Sequence, residues 1–165
     1  MDLLWAPWRM NYVTAEKPKG CIFCDKPAAG DDAANHIIWR GKKAFVLLNT
    51  FPYNNGHMMV TPFAHIAEFE ELPSDTLAEM MALCQDALEA LKRDFSPDGV
   101  NMGLNLGAAA GAGVKDHLHV HIVPRWMGDT NFMSVTADVR VIPQSLDRAY
   151  ELLHGAFAGL RSSQD

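Results

Sequence analysis

Seven consecutive residues of this 165-residue chain, His117-Leu-His-Val-His-Ile-Val123, alternate imidazole and aliphatic side chains. A β-strand turns successive side chains to opposite faces. The pattern therefore predicts a strand over His117–Val123, with Leu118, Val120 and Ile122 buried and His117, His119 and His121 in file on the other face. Neighbours in that file stand roughly 6.5–7 Å apart, twice the rise per residue. The chain has seven histidines in all, so chance rarely puts three of them in one such row. Three roles suit the row: a solvated surface strand, a metal site in which His-x-His grips one ion, or a nucleophilic imidazole between two orienting partners.

Around this strand the patterning predicts an α+β chain. Apolar runs at His36–Arg40 and Lys43–Asn49 flank Gly41-Lys42, a plausible hairpin turn, and a short strand at His57–Thr61 follows Pro52, Asn54, Asn55 and Gly56. Leu77, Met80, Met81, Cys84, Leu88, Leu91 and Phe95 recur at helical spacing, with Ser74 as the expected N-cap and Pro97-Asp98-Gly99 as the stop. Cys84 falls on the apolar stripe and reads as a buried thiol. A strand at Asn101–Leu106 precedes a loop of glycine and alanine, and a last helix begins near Ser145. Residues 25–35 read as loop, and His36 and His154 read as solvated. Short turns between strands favour an antiparallel sheet of about five strands, with the long helix and the C-terminal helix on one side. A single domain over 1–165 is expected, divided into an aromatic arm at 1–20 (Trp5, Trp8, Tyr12) and a body at 21–165.

The formal net charge is −6, from 14 Lys+Arg against 20 Asp+Glu, which disfavours a long nucleic acid as partner. A small anion remains possible, because a few backbone amides suffice to hold one. No apolar run approaches the roughly 20 residues of a membrane span. The start MDLLWAPWRM lacks the basic flank of a signal peptide. Three cysteines make no disulfide framework. A cytoplasmic, reduced protein with no membrane partner is the expectation. Cys21-Ile-Phe-Cys24 has the spacing that lets two thiolates hold one zinc ion; the alternatives are a metal-free pair or a redox motif.

The run His117–Val123 resembles the His-φ-His-φ-His-φ-φ signature of the histidine triad superfamily of nucleotide hydrolases and transferases, and Pro124-Arg125 continues the likeness. Leu48-Asn49-x-x-Pro52-x-x-x-Gly56-His57 is similar to the family's nucleotide-binding half, and Gly103-Leu104-Asn105-Leu106-Gly107 to its phosphate-binding segment. Trp5-Ala-Pro-Trp8-Arg9-Met10, Arg125-Trp126-x-Gly128-Asp129-x-Asn131-Phe132 and Val141-Ile-Pro-Gln144 resemble one branch, the bacterial diadenosine tetraphosphate phosphorylases.

The resemblance implies a histidine triad fold and a homodimer. It also implies nucleotidyl transfer, with His119 as the nucleophile on an α-phosphorus and a nucleotidyl-histidine intermediate. An imidazole with an ordinary pKa near 6.5 is largely unprotonated near neutrality, and two easier steps replace one hard one. His121 is then a contact to the phosphoryl or bridging oxygen, His57 a further contact, and His117 the first member of the triad. Without the resemblance His57 could be a packing residue after a glycine turn. The substrate-binding set is Asn49, Phe51, Asn105, Gly111, Gly113 and Trp126. Packing is an equal alternative for Phe51 and Trp126. In the loop Gly103–Gly113, small residues leave backbone N–H groups uncovered for phosphate oxygens. Many relatives carry Ser or Thr where this chain has Gly113, so that hydroxyl contact is missing. The same family implies that a structural zinc is completed by Cys21, Cys24, His65 and His117, with no cofactor in the chemical step.

The expected substrate is an adenine nucleotide or dinucleoside polyphosphate, with inorganic phosphate as acceptor, so that diadenosine tetraphosphate gives ADP and ATP. The alternatives are a hydrolase or phosphoramidase of the same superfamily, a cupin-type metal enzyme, and a nucleotide-binding module without turnover. The cupin reading needs further ligands converging on His117 and His119, and the sequence offers no obvious ones.

Overall fold

Residues 20–129 and 144–162 are described by a computed structural model. In chain order they form α1 (Ile22–Ala28), β1 (Ile37–Arg40), β2 (Ala44–Leu48), β3 (Met58–Pro62), α2 (Ser74–Phe95), β4 (Gly99–Leu104), β5 (Val120–Arg125) and α3 (Leu146–Ser162). The strands make one antiparallel sheet in the order β1-β2-β3-β5-β4. That is the expected α+β architecture. The expectations for Trp5, Trp8, Tyr12, Asn131, Phe132 and 141–143 lie outside the described residues.

Alternation along the strands divides the interior into two layers. Ala44, Val46, Leu48, Met58, Val60, Val120 and Ile122 meet the apolar stripes of α2 and α3 in the larger core. Ion pairing of Asp86 with Arg161 ties the two helices together. On the opposite face Ile37, Phe45, Leu47 and Met59 pack around Phe23 of α1. Every residue of β2 is buried because both faces of that strand are covered. The sequence reading put helices on one side only, and α1 corrects it.

Residues 25–35 are expected as loop because Pro27 and Gly30 break propensity, yet α1 runs on to Ala28. Tertiary burial overrides that weak signal. Phe23 is 1% exposed, and burying such a ring stabilises by about 1.5–3 kcal/mol. The helix starts where the N–H groups of Cys24 and Asp25 donate to the Cys21 carbonyl. Ser74 is also corrected: it is the first helical residue, Pro73 is the N-cap, and no side chain caps the turn.

The largest displacement concerns the histidine strand. The regular ladder of β5 begins at Val120, three residues later than expected, and runs on to Arg125. Ahead of it, other groups take over the backbone bonds. Thr61 Oγ1 donates to the Leu118 carbonyl at 2.8 Å, and the Leu118 N–H donates to the Ile66 carbonyl at 2.8 Å. His117 and His119 thus sit ahead of the ladder, in chain pinned by side-chain and loop bonds.

His36 is half-buried and paired, which corrects the solvated reading, whereas His154 is exposed as expected and still bonds to the main chain. His36, in the left-handed region at φ 54°, places Nε2 2.9 Å from Asp147 Oδ1. His154 Nδ1–H donates to the Ile38 carbonyl at 2.8 Å.

Candidate active site

Register assembles the imidazoles on the α1 face of the sheet. Met59 pairs with His121 and Met58 with Ile122, so His57, just ahead of β3, lies on the same face as Met59 and His121. His57 Nε2 is 3.0 Å from His121 Nδ1. The His119 and His121 rings meet edge to face at a centroid separation of 4.8 Å. On the other flank of β5, Gly103 pairs with His121 and Leu104 with Val120. Asn105 follows β4 directly, half-buried, one residue past the Leu104–Val120 pair that ends the ladder. A Cβ on Gly103 would meet nothing within 4 Å, so the floor next to His121 is open.

Hydrogen bonds decide which nitrogen carries each proton. A carbonyl oxygen only accepts, so His119, 2.9 Å from the His117 carbonyl through Nδ1, holds its proton there and leaves Nε2 as a bare lone pair. The Tyr53 N–H donates to His57 Nδ1 at 3.1 Å, and the Asn49 amide lies 3.4 Å from the same nitrogen. His57 therefore donates through Nε2 to His121 Nδ1, and the proton of His121 resides on Nε2. The row presents one nucleophilic nitrogen and, beside it, one donor.

Burial keeps the row neutral. His57 is fully buried, and its pKa is held down to about 3 by burial first and then by the His121 and His119 imidazoles. His121 is lowered to about 4 by burial and then by His119. Burial also lowers His119, against the opposing effect of its bond to the His117 carbonyl.

A second cluster adjoins this one through His117. Its Nε2–H donates to the Pro62 carbonyl at 2.9 Å, which turns the bare Nδ1 toward Cys21 Sγ at 3.3 Å and Cys24 Sγ at 3.6 Å. Cys24 Sγ lies 3.4 Å from His65 Nδ1. The four ligand atoms all lie within 4.8 Å of one another. Zinc–sulfur and zinc–nitrogen bonds of about 2.3 and 2.0–2.1 Å give a tetrahedron with S–N edges of about 3.5 Å. The three S–N separations of 3.3, 3.6 and 3.4 Å lie close to that edge, and the carbonyl behind His117 is the outer partner such ligands use.

The remaining sequence-derived residues divide. Asn49 holds the following loop, its Oδ1 accepting the Phe51 N–H at 3.0 Å, and the Phe51 ring is exposed. Gly107 and Gly111 adopt φ of 78° and 90° around a short 3-10 turn at Ala108–Ala110, all of it exposed together with Gly113. Trp126 is not brought to the imidazoles. It lies beyond β5, five residues from His121, and its indole N–H donates to the Ser96 carbonyl at 3.2 Å. Sequence reading missed Tyr53 and Phe23. Tyr53 lies against His57 and His121, and Phe23 against His119 and His117 at ring separations of 4.8 and 5.3 Å. The signal for Phe23 was its place inside the Cys-x-x-Cys.

The HIT domain family model matches residues 31–127. The AP-4-A phosphorylase of Mycobacterium tuberculosis is 41% identical, over 93% of this chain and 83% of its own length. Among solved structures, a Zn-bound histidine triad family protein from Mycobacterium smegmatis superposes with a TM-score of 0.71 at 30% identity, covering 87% of this chain and 97% of that one. A hypothetical histidine triad nucleotide-binding protein from Sulfolobus tokodaii gives a TM-score of 0.70 at 26% identity, covering 86% of this chain and 94% of that one. The chain belongs to the HIT domain family.

The depressed pKa of His57 has a consequence for stability. Unfolded, this imidazole takes a proton below about 6.5; folded, it stays neutral until about 3. Its contribution is complete above 6.5 and is lost as pH falls through that window, at about 1.4 kcal/mol per pH unit. Urea midpoints measured from pH 7 to pH 4 should fall for the wild type and fall less steeply for His57→Gln. Equal slopes would contradict a neutral buried His57.

Proposed function

We propose that the protein transfers a nucleotidyl group from a dinucleoside polyphosphate through a nucleotidyl-histidine intermediate, most readily as a phosphorylase converting diadenosine tetraphosphate and phosphate into ATP and ADP. The observation that carries this reading is the tautomer arrangement, with a bare His119 Nε2 beside a His121 Nε2–H. His119 Nε2 attacks the α-phosphorus. The bond from that phosphorus to its bridging oxygen breaks, and ATP leaves. His121 donates its hydrogen bond to the oxygen on which negative charge grows. Phosphate then attacks the same phosphorus, the P–N bond breaks, and ADP leaves with His119 restored.

The similarity to the M. tuberculosis AP-4-A phosphorylase over most of both chains supports the substrate class and the choice of phosphate. Asn105, just past the end of β4, and the exposed turn Gly107–Gly111 with Gly113 are the proposed phosphate cradle. Asn49 and Phe51 are proposed on the nucleoside side. β4 is an edge strand with most of its side chains exposed, including Met102, and pairing of that edge with a second copy is the proposed dimer contact.

Cys21, Cys24, His65 and His117 would hold a structural zinc. With four protein ligands the ion has no open position for substrate. It would supply rigidity, holding α1 against the segment that bears His119, and the chemical step needs no metal.

Two measurements test this reading. With labelled phosphate, the wild type should place label in the β-position of ADP, and His119→Ala should lose at least about 10³-fold in turnover while still binding nucleotide. ATP plus AMP at an unchanged rate without phosphate would identify a hydrolase, and turnover retained in His119→Ala would remove the nucleophile. Protein purified without chelator should carry about one zinc per chain, and chelation should lower its melting temperature. Absence of metal, with melting unchanged in Cys21→Ser, would leave the pair as two thiols.

A further inference from the structure

The imidazole row is bracketed by two aromatic rings that differ in one respect. Phe23 closes the His117–His119 end and is buried on both sides, 1% exposed. Tyr53 closes the other end. Its ring is 4.7 Å from that of His57 and lies nearly parallel to that of His121, at 5.8 Å and 27°. Yet Tyr53 is 43% exposed. Its backbone already does the positioning, because the Tyr53 N–H fixes the His57 tautomer whatever the side chain is. A large amphipathic ring held against two neutral imidazoles, with the rest of its surface in water, is unexplained by that bond.

Geometry says which part of a substrate would reach it. His119 forms the bond to phosphorus in the reading above, and His121 contacts the departing side. Tyr53 touches His121 and His57, whereas Phe23 touches His119 and His117. Whatever extends from the α-phosphorus past His121 therefore runs toward Tyr53. On a dinucleoside polyphosphate that portion is a phosphate chain ending in a second nucleoside. Its base is a planar π-system.

We propose that the exposed part of Tyr53 is the stacking platform for the second, departing nucleoside, so that this residue selects dinucleotides over mononucleoside polyphosphates. The proposal rests on the nucleotidyl-transfer reading. Stacking on an aromatic side chain strengthens binding of a base and tolerates any base. The platform accordingly distinguishes presence from absence of a second base more than one base from another.

The test compares two substrates that share the adenylyl group and the four-phosphate chain: diadenosine tetraphosphate, and adenosine 5′-tetraphosphate, which lacks the second nucleoside. Kinetics are measured on the full chain for wild type, Tyr53→Phe, Tyr53→Leu and Tyr53→Ala, with melting curves to confirm folding. Tyr53→Leu and Tyr53→Ala should lose about ten-fold more in kcat/KM on the dinucleotide than on adenosine 5′-tetraphosphate, chiefly through KM. Tyr53→Phe, which keeps the ring, should retain wild-type selectivity. An equal loss on both substrates would make Tyr53 a positioning residue only and overturn the platform. No loss on either would overturn it as well. A wild type inactive on both substrates would instead fail the nucleotidyl-transfer reading, and the platform with it.

Discussion

Main-chain groups, not charges, set the chemistry of this site. The carbonyl of His117 takes the Nδ1 proton of His119, the carbonyl of Pro62 takes the Nε2 proton of His117, and the N–H of Tyr53 occupies Nδ1 of His57. Each contact removes one of the two tautomers open to a neutral imidazole. Because His57 then donates to His121, a choice made at Tyr53 is passed across two rings to the imidazole beside His119. No carboxylate takes part in these bonds. Burial keeps His57 and His121 uncharged, where a nearby acid would have pulled a proton onto them.

His117 couples the two clusters. One ring nitrogen faces the Cys21 and Cys24 sulfurs, the other donates to β3, and its carbonyl orients His119. In the proposed zinc site, movement of the His117 main chain would move the acceptor of the His119 Nδ1 proton. The same dependence explains why the regular ladder of β5 starts only at Val120. Residues 117–119 use their polar groups for the site, and Thr61 and Ile66 replace the ladder for Leu118. Phe23 adds apolar packing, wedged under His119 from a helix whose two cysteines face His117.

Much of this was legible before folding because it depends on alternation. Leu118, Val120 and Ile122 point into the core and the three histidines do not, as period two requires. The long stripe from Leu77 to Phe95 became α2 with its end marked by a left-handed Ser96. What alternation does not encode is which backbone groups find partners off the ladder, so the first residues of β5 were misplaced. Residues 25–28 fall within the stretch 25–35 expected as loop, because Pro27 argues locally against a helix that Phe23 stabilises through distant contacts. Tyr53 escaped notice for the same reason, since its neighbours His57 and His121 are four and sixty-eight residues away. Trp126 had the right composition for a base-stacking ring but follows β5 at the end away from the imidazoles.

Long-range proton–nitrogen NMR correlation of the histidine rings near neutral pH tests the central claim most directly, because each neutral tautomer gives its own pattern of cross-peaks. The account predicts His119 protonated on Nδ1, with His57 and His121 neutral and protonated on Nε2. A His119 ring carrying its proton on Nε2, or a His121 ring carrying its proton on Nδ1, would contradict it.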